Sequence, residues 1–548
     1  MRHGGQILVE QLRRFGVERV FSVPGESFLA VLDGLHESGI ANVVCRHEGG
    51  AAMMAEAAGK LGQGPGVCFV TRGPGACNAS SGIHVARQDS TPMVLFVGQI
   101  ARGDRDREAF QEVDYRAMFG GLAKWVAEVD DTARLPEYVA RAFRVARSGR
   151  PGPVVLALPE NVLSGTAEVA DAASFPARAA PDLGGAARAA MDHIAGCART
   201  LVVVGGPHWS ETAARDLARF AETQGLPVAC GFRRQDYMDN RHPHYAGDLN
   251  VGVNPKLAQR MREADGLLVL GSRLGDIETK GYSLLDPAGH GKVLVHVHAD
   301  PDEPGRVYAP DLAVTAEAPD FVAALADQPA MGGDRDGWRA AARADYEAWL
   351  TPKESPGAVR LEEVIGWLSE HLPEEAILTN GAGNYAAWLH RYFVYKRHGT
   401  QLAPTSGSMG YGFPAAVSAA LAHPGRRVVC LAGDGCFQMT LNEMSTAVQH
   451  GAAPVVVVAN NGQYGTIRMH QERQYPGRVS GTALANPDFA ALARAYGGHG
   501  ERVERTEDFP AAFERATAAG TVAVIELVLD PEALSPSATL SELRAQGG

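Results

Sequence analysis

A Gly-Asp-Gly tripeptide at residues 433–435, with a pair of asparagines ending at Asn461, constrains this chain more than any other feature. An apolar run at 428–432 leads into the tripeptide and predicts a buried strand. After a helix-like stretch, a β-branched run at 454–459 predicts a second strand, which leads into the asparagines. Because open α/β sheets bind ligands at the carboxyl ends of their strands, we expect Asp434 and Asn461 to lie together at a binding site.

The residue types at this site indicate a metal that also holds a phosphate. Carboxylate and amide oxygens are hard donors, suited to Mg²⁺ or Ca²⁺. The glycines allow the backbone to approach a phosphate without an intervening Cβ. The alternative is an ordinary tight turn, since the chain has 63 glycines. The strand–helix–strand spacing between Asp434 and the asparagine pair favours the binding site.

The chain is too long for a single hydrophobic core. Its 548 residues suggest about three domains, and short apolar strands alternate with helical patterns throughout. We therefore predict an α/β protein with three doubly wound parallel-sheet domains, at 1–165, 186–328 and 355–535. The stretch 164–185 loses periodicity and is interpreted as a linker, and 331–338 as a second boundary.

Composition excludes several classes of protein. The net charge of −12, without basic runs interleaved with aromatics, argues against a nucleic-acid partner. No apolar run approaches membrane-spanning length, and the chain opens on an amphipathic helical pattern instead of a signal peptide. The seven cysteines form no C-x-x-C pair. A reduced, cytoplasmic enzyme fits these properties best.

Two further segments carry residues of chemical interest. Glu48 follows a short strand and opens an alanine-rich helix, so it is either a functional acid or a helix-start carboxylate that interacts with the helix dipole. Met409 lies among Gly407, Gly410 and Gly412. A core methionine would be the default interpretation, but the flanking glycines favour a place in a binding loop.

Together these motifs resemble those of thiamin-diphosphate-dependent enzymes. Nearly the whole chain is similar to the acetohydroxyacid synthase and pyruvate oxidase group, in the order pyrimidine-binding, central and diphosphate-binding domain. The segments that carry this resemblance, besides those above, are 21–26, 71–78, 89–92, 109–112 and 380–385.

The resemblance implies roles for the motif residues. Glu48 would hydrogen-bond the cofactor's aminopyrimidine ring, so that its imino form can take the proton from the thiazolium carbon. Met409 would bend the cofactor, and the Gly407 carbonyl would accept from its amino group. Mg²⁺ would be held by Asp434, Asn461 and the carbonyl of Gln463. The other implied cofactor-binding residues are Gly383, Asn384, Tyr385, Gly433, Gly435, Cys436, Gly465, Thr466 and Ile467.

The sequence signals for residues that act on the substrate are less specific than those for the cofactor-binding residues. Glu26, Gln111 and His84 are candidates for proton handling, although His84, between Ile83 and Val85, is favoured as a core histidine. His470 stands where plant and fungal synthases have a tryptophan that shapes the acceptor pocket. The resemblance therefore implies a different acceptor preference.

The expected reaction is decarboxylation of a pyruvate-like 2-oxo acid with ligation to a second carbonyl compound, as in acetolactate synthesis. The alternatives are a simple 2-oxo acid decarboxylase or C–C lyase, a flavin-dependent 2-oxo acid oxidase, and a non-catalytic nucleotide-binding module. The paired histidines typical of pyruvate decarboxylases are absent, with Asp89 and Ser90 near that position. The segment 271–276 only loosely resembles a flavin segment, which leaves FAD open. The resemblance also implies a homodimer or homotetramer with active sites at subunit interfaces.

Overall fold

Three six-stranded parallel sheets, each flanked by helices, organise the chain. The computed structural model describes residues 1–62, 64–173, 181–333 and 335–546. The predicted α/β class, with three doubly wound parallel sheets, is confirmed. Part of the predicted linker, 174–180, lies outside the described residues. No helix in the described ranges is long and apolar enough to cross a membrane.

The first unit has its sheet in the order β3-β2-β4-β5-β7-β6, and a separate antiparallel pair joins β1 to β8. Its strands are β1 (Arg2–His3), β2 (Arg19–Ser22), β3 (Ala41–Val44), β4 (Gly66–Val70), β5 (Met93–Gln99), β6 (Trp125–Glu128), β7 (Pro153–Pro159) and β8 (Thr166–Ala167). Its helices are α1 (Gly4–Arg14), α2 (Leu29–Leu35), α3 (Glu48–Leu61), α4 (Pro74–Asp89), α5 (Tyr115–Phe119), α6 (Leu135–Arg147) and α7 (Glu160–Ser164).

The central unit has the sheet order β11-β10-β9-β12-β13-β14. Its strands are β9 (Thr200–Val204), β10 (Val228–Cys230), β11 (Tyr245–Asp248), β12 (Gly266–Leu270), β13 (Val293–His298) and β14 (Leu312–Thr315). Its helices are α8 (Gly184–Ile194), α9 (Glu211–Gln224), α10 (Pro255–Glu263), α11 (Ala318–Ala326) and α12 (Asp336–Trp349).

The third unit has the sheet order β16-β15-β17-β18-β20-β19. Its strands are β15 (Ile377–Asn380), β16 (Gln401–Leu402), β17 (Val428–Gly433), β18 (Val455–Asn460), β19 (His499–Val503) and β20 (Ala523–Val528). Its helices are α13 (Leu361–His371), α14 (Tyr385–Tyr392), α15 (Gly412–Ala422), α16 (Asp434–Gln438), α17 (Met444–His450), α18 (Gly465–Gln474), α19 (Phe489–Ala495), α20 (Phe509–Ala518) and α21 (Leu540–Gln546).

The first and third sheets share one topology. When the six strands of each sheet are numbered in chain order, both sheets have the order 2-1-3-4-6-5. The strand order therefore reverses beside β2 in the first unit and beside β15 in the third. Such reversals open a crevice at the carboxyl ends of the strands, where α/β sheets bind ligands.

The first and third units are joined through a common core. Helix α3 packs against α15 with small residues at the contact, and Ala51, Ala52 and Ala55 are fully buried. Phe413 and Phe437 meet edge to face in the same hydrophobic cluster, with ring centroids 5.3 Å apart. Burying a phenylalanine contributes roughly 1.5–3 kcal/mol. The start of α3, which carries Glu48, is therefore held rigidly relative to the third sheet.

Near the predicted second boundary, 331–338, a helix already begins, because α12 starts at Asp336. It packs on the central unit, where Tyr346 meets Tyr245 edge to face at 4.8 Å. Because residues 331–338 are rich in glycine and charged residues, the sequence analysis did not predict that the first turn of this amphipathic helix lies there. The domain boundaries proposed above stay predictions.

Candidate active site

A cavity of about 220 Å³ opens at the carboxyl ends of the third sheet. It lies where the loops after β15, β17 and β18 converge, beside the reversal of strand order. Every third-unit residue predicted to bind cofactor or metal lines it: Gly383, Asn384, Tyr385, Gly407, Met409, Gly433, Asp434, Gly435, Cys436, Asn461, Gln463, Gly465, Thr466 and Ile467. The structure thus assembles residues from separate stretches of sequence into one concave site.

The two glycines beside Asp434 are required by tyrosines that pack against the cavity wall. A Cβ on Gly433 would lie 2.8 Å from the ring of Tyr385. A Cβ on Gly435 would lie 2.5 Å from the ring of Tyr464. Any larger residue would displace a ring or close the cavity. Tyr464 is a lining residue that the sequence analysis missed.

Asp434 is the first residue of α16 and is almost fully buried. Its Oδ1 accepts from the Gly435 amide (2.8 Å), and its Oδ2 accepts from the Gly462 amide (2.9 Å) and from Asn486 Nδ2 (2.7 Å). Burial raises the pKa of the Asp434 carboxyl, although these hydrogen bonds oppose the rise. Asn486 was missed because it follows no motif and reaches the site from a distant loop.

The donors around Asp434 fit a hard divalent cation. Asn461 and Gln463 line the cavity with Asp434 and can supply an amide and a carbonyl oxygen. In the described part of the chain no cluster of three His, Cys, Asp or Glu side chains forms a metal site. A buried carboxylate with amide oxygens beside it suits Mg²⁺.

Met409 and Gly407 lie on the loop between β16 and α15. Gly407 takes a φ of +67°, which favours glycine, and its amide donates to the Pro404 carbonyl (3.1 Å). Met409 is half-buried, packs on the third-unit core and also lines the cavity. Its position therefore combines core packing with a surface open to a ligand.

Glu48 opens α3 in the first unit, outside the cavity. Its Oε2 accepts from Asn78 Nδ2 (2.9 Å), and the side chain is half-buried. Within the described ranges no hydrogen bond links Glu48 to a cavity residue. Its place in the first turn of a helix suits both interpretations of the sequence, since a carboxylate there also interacts favourably with the helix dipole.

The backbone just before Glu48 is held by a glutamate that the sequence analysis missed. Glu443 follows α16 and is fully buried. Its carboxylate accepts from the amides of Arg46 (3.2 Å) and His47 (3.0 Å). The third unit thus fixes the entry to α3 directly.

The other first-unit candidates also lie outside the cavity. Glu26 is exposed and pairs with Arg72 at 2.9 Å. Gln111 takes a φ of +66° and packs over Gly73. His84 is exposed on α4, so the interpretation as a core histidine is wrong. Its apolar neighbours point into the core, but a helix turns about 100° per residue and directs His84 away from it.

His470 is exposed on α18, one turn after Thr466. Residues four apart share a face of a helix. Thr466 lines the cavity, and its hydroxyl lies 3.0 Å from Asn384 Oδ1. His470 is thus on the helix face that leads out from the cavity rim.

The 271–276 segment in the central unit does not fit a dinucleotide phosphate. A Cβ on Gly206 would lie 2.4 Å from the Gly271 carbonyl oxygen, so the two loops at the reversal of strand order close on each other. Glu278 Oε2 accepts from the Ser272 hydroxyl (2.6 Å) and the Gly275 amide (3.3 Å). An internal carboxylate thus occupies donors that a phosphate would need. FAD stays a prediction without support from this geometry.

Comparison with known proteins covers all three units. The N-terminal TPP binding domain of thiamine pyrophosphate enzymes matches residues 2–118, the central domain matches 187–325, and the C-terminal TPP binding domain matches 381–527. The three matches follow the predicted order. The cavity lies within the third of them, apart from a few lining residues at its edges.

Several curated proteins are similar over almost the full chain. The acetolactate synthase isozyme 2 large subunit of Escherichia coli is 31% identical, covering 93% of each chain. The acetolactate synthase large subunit of Parasynechococcus marenigrum is 32% identical, over 94% of this chain and 86% of its own. That of Lactococcus lactis is 31% identical, over 90% and 87%. With the three domain matches and the assembled cavity, these similarities show that the chain belongs to the thiamine pyrophosphate enzyme family, as a thiamin-diphosphate-dependent enzyme of the carboligase or lyase type.

Proposed function

We propose that the protein decarboxylates a pyruvate-like 2-oxo acid and ligates the remaining acyl unit to a second carbonyl compound, giving an acetolactate-type product. The observation that carries this proposal is the cavity, which is lined by every third-unit residue predicted to bind cofactor or metal. The relatives named acetolactate synthase, similar over nine-tenths of the chain, favour ligation over simple release of an aldehyde.

In this proposal the third unit anchors the cofactor. Asp434, Asn461 and the Gln463 carbonyl would hold Mg²⁺, which would supply positive charge to neutralise the diphosphate. The loops around Gly383 and Gly435 would offer backbone amides to the phosphates. When bound, thiamin diphosphate supplies the nucleophilic carbon and the electron sink for loss of CO₂.

The proton chemistry is assigned to Glu48. Its carboxyl would donate a hydrogen bond to the pyrimidine ring nitrogen and so make the ring's amino group a base. The Gly407 carbonyl would accept from that amino group, and Met409 would supply an apolar surface for the cofactor. Glu26, Gln111 and His84 are assigned to proton handling at the substrate, with Arg72 holding Glu26 in place.

The location of Glu48 supports the proposal of a homodimer or homotetramer. In the described chain Glu48 makes no hydrogen bond to the cavity, and its α4 partner Asn78 is exposed. We infer that Glu48 serves the cavity of a second subunit, so that active sites lie between subunits. Phe110, beside Gln111, is 73% exposed, as expected of a residue that completes such a site.

His470 is assigned to acceptor selection. An imidazole at the rim offers a hydrogen-bond donor or acceptor where a tryptophan would offer only a large apolar face and one N–H. We infer a more polar acceptor than that of synthases with tryptophan at this position.

Product analysis tests the proposed function. Purified protein with thiamin diphosphate, Mg²⁺ and pyruvate is expected to release CO₂ and to form acetolactate, detected by NMR. Addition of an aldehyde or a second 2-oxo acid tests for other ligated products. Free acetaldehyde as the sole product would identify a decarboxylase instead. Oxygen consumption with a yellow flavin spectrum would identify an oxidase.

A further inference from the structure

A polar segment of the central unit enters the crevice between the first and third units. Arg233, Arg234, Gln235 and Asp236 follow β10 and are all buried. Asp236 Oδ2 accepts from three consecutive amides of the third unit, those of residues 399–401 (2.9–3.2 Å). Arg234 donates to the Asp89 carbonyl of the first unit at 3.2 Å. The segment thus contacts both cofactor-binding units.

Arg233 is the member of this segment that reaches the candidate active site. Its Nη2 donates to the Gly381 carbonyl at 2.9 Å, and its Nη1 donates to the Pro404 carbonyl at 2.5 Å. Gly381 directly precedes the cavity-lining residues 382–385. Pro404 precedes the loop that carries Gly407 and Met409. One guanidinium group therefore connects the starts of two cavity loops.

The same loop start is held from the first unit as well. Asp89 Oδ1 accepts from the Thr405 amide (2.7 Å) and from its hydroxyl. Lys60 Nζ donates to the Ala403 carbonyl at 3.2 Å. Three consecutive residues, 403–405, are thus fixed by Lys60, Arg233 and Asp89.

The position of Arg233 is costly to the fold. Its φ of +59° lies in the left-handed region, which costs a non-glycine residue on the order of 1–3 kcal/mol. Its Nε is buried without a hydrogen-bond partner, and the Asp89 carboxylate interacts with the guanidinium only electrostatically, without a hydrogen bond in the described ranges. Burial lowers the pKa of this guanidinium. Burying a charge is costly unless it is fully paired, and both hydrogen bonds of the Arg233 guanidinium named above go to carbonyls at the starts of cavity loops, which points to a role in the site.

We propose that Arg233 is a positioning residue for cofactor binding: it clamps the carbonyls of Gly381 and Pro404, so that the 382–385 loop and the Gly407–Met409 loop keep their spacing. The proposal rests on the proposed function and adds a role for the central unit. Because a guanidinium is planar and its two donor nitrogens are rigidly joined, it fixes the distance between the two carbonyls that it binds. The ammonium of a lysine has no such rigid pair of donors.

Direct cofactor binding tests the clamp. Thiamin diphosphate with Mg²⁺ is titrated into the full-length protein by calorimetry. Arg233→Met is expected to raise the Kd by about tenfold or more, because two charge-assisted hydrogen bonds that order the loops are lost. The KM of Arg233→Met for the cofactor is expected to be well above that of wild type, whereas its kcat at saturating cofactor is expected to be close to that of wild type. A general loss of stability does not separate these two quantities.

Arg150→Met is the matched control. Arg150 is also a buried arginine at a contact between units, but it binds Ser90, Glu303 and the Arg87 carbonyl, away from the cavity. This variant is expected to lower the melting temperature and to leave the cofactor Kd within about twofold of wild type.

Arg233→Lys keeps the positive charge but removes the planar group that donates to two carbonyls at once. It serves as the test variant if Arg233→Met does not fold. Its cofactor Kd is expected to lie between those of wild type and Arg233→Met. Wild-type affinity in a folded Arg233→Met or in Arg233→Lys would overturn the clamp. Wild-type protein that binds no thiamin diphosphate would instead refute the proposed function, and the clamp with it.

Discussion

At the scale of single residues, the two carboxylates predicted to serve the cofactor have different surroundings. Asp434 is buried among amide donors, whereas Glu48 is half-buried and accepts one hydrogen bond from Asn78. A buried carboxylate is suited to hold a cation, because the cation offsets the cost of burying its charge. A carboxyl open on one side is suited to meet a ligand that another subunit brings.

Glu48→Gln tests the role assigned to this acid. The new amide can still accept from Asn78 through its carbonyl oxygen, but it has no carboxyl proton to place on the pyrimidine ring. We expect turnover to fall by about 10²-fold or more, with cofactor affinity nearly unchanged. CO₂ release and calorimetry measure the two quantities. Glu363→Gln, which alters a first-turn glutamate of α13, is the control. Equal, small effects of both variants would favour the helix-dipole interpretation.

Asp248 offers a second test at this scale, based on pH. It is enclosed in the central unit, accepts from Asn250, and burial raises its pKa to about 7. The unfolded chain has an Asp pKa near 3.9, so the folded state holds an extra proton between these values. Stability therefore falls as pH rises from about 4 to about 7 and then levels off.

Asp248→Asn is expected to remove this dependence. The melting temperature of the variant relative to wild type should rise between about pH 5 and about pH 7.5, reflecting a change of about 2.5 kcal/mol in the free energy of unfolding. Thermal unfolding at several pH values measures it. Parallel melting curves for the two proteins across this range would contradict a protonated Asp248.

At the scale of elements, the contact between α3 and α4 places Glu48. Gly82 of α4 lies against Ala52 of α3, and a Cβ added there would be 2.4 Å from the Ala52 Cβ. The same contact keeps Asn78 beside Glu48, since Asn78 lies one turn before Gly82. The spacing of these helices therefore sets the position of the acid.

Gly82→Ala is expected to push α3 and α4 apart. Overpacking typically costs about 1–3 kcal/mol, and here it outweighs the gain in helix propensity. Both the melting temperature and turnover should fall. Gly366→Ala, in α13 with no atom within 4 Å of the added Cβ, is the control and should stabilise by roughly 0.5–1 kcal/mol. Equal stabilisation by both substitutions would show that the helix contact can relax.

At the scale of the whole molecule, the predicted site residues are divided between the first and third units, and those of the first unit lie outside the cavity. The cavity holds the third-unit residues, while Glu48, Gln111 and His84 lie outside it. The first and third units nevertheless share a core through α3 and α15. A rearrangement within one chain that moves Glu48 to its own cavity would break this core. The assembly with a second copy proposed above avoids that cost.

Complementation between subunits tests the division. Glu48→Gln and Asp434→Asn are each expected to be inactive, but a mixed dimer has one site with both native residues. Random assembly of equal amounts should restore about a quarter of wild-type activity, because half of the dimers are mixed and each has one intact site. Activity is measured after co-expression of the two variants. No recovery in verified mixed dimers would place Glu48 and Asp434 of one site in the same chain.

Local patterns in the sequence were sufficient for much of the fold. The strands β17 and β18 are continuous apolar runs, and α3 follows from its alanine-rich stretch. Because a buried strand or an amphipathic helix imposes a period on neighbouring residues, such elements can be predicted locally. Asp434 and Asn461 were found in the same way, since they follow these strands, whereas the other third-unit site residues were implied by the family resemblance.

Contacts between distant segments were decided only by the tertiary structure. Asn486 meets Asp434, Glu443 meets the backbone before Glu48, and Arg233 bridges Gly381 and Pro404. Each joins residues that are far apart along the chain, so no local period marks them. The exposure of His84 was misjudged for a related reason, because its face depends on which side of α4 the core covers. The sequence by itself determined the elements and the chemistry at their ends, whereas packing between units determined which of those ends meet.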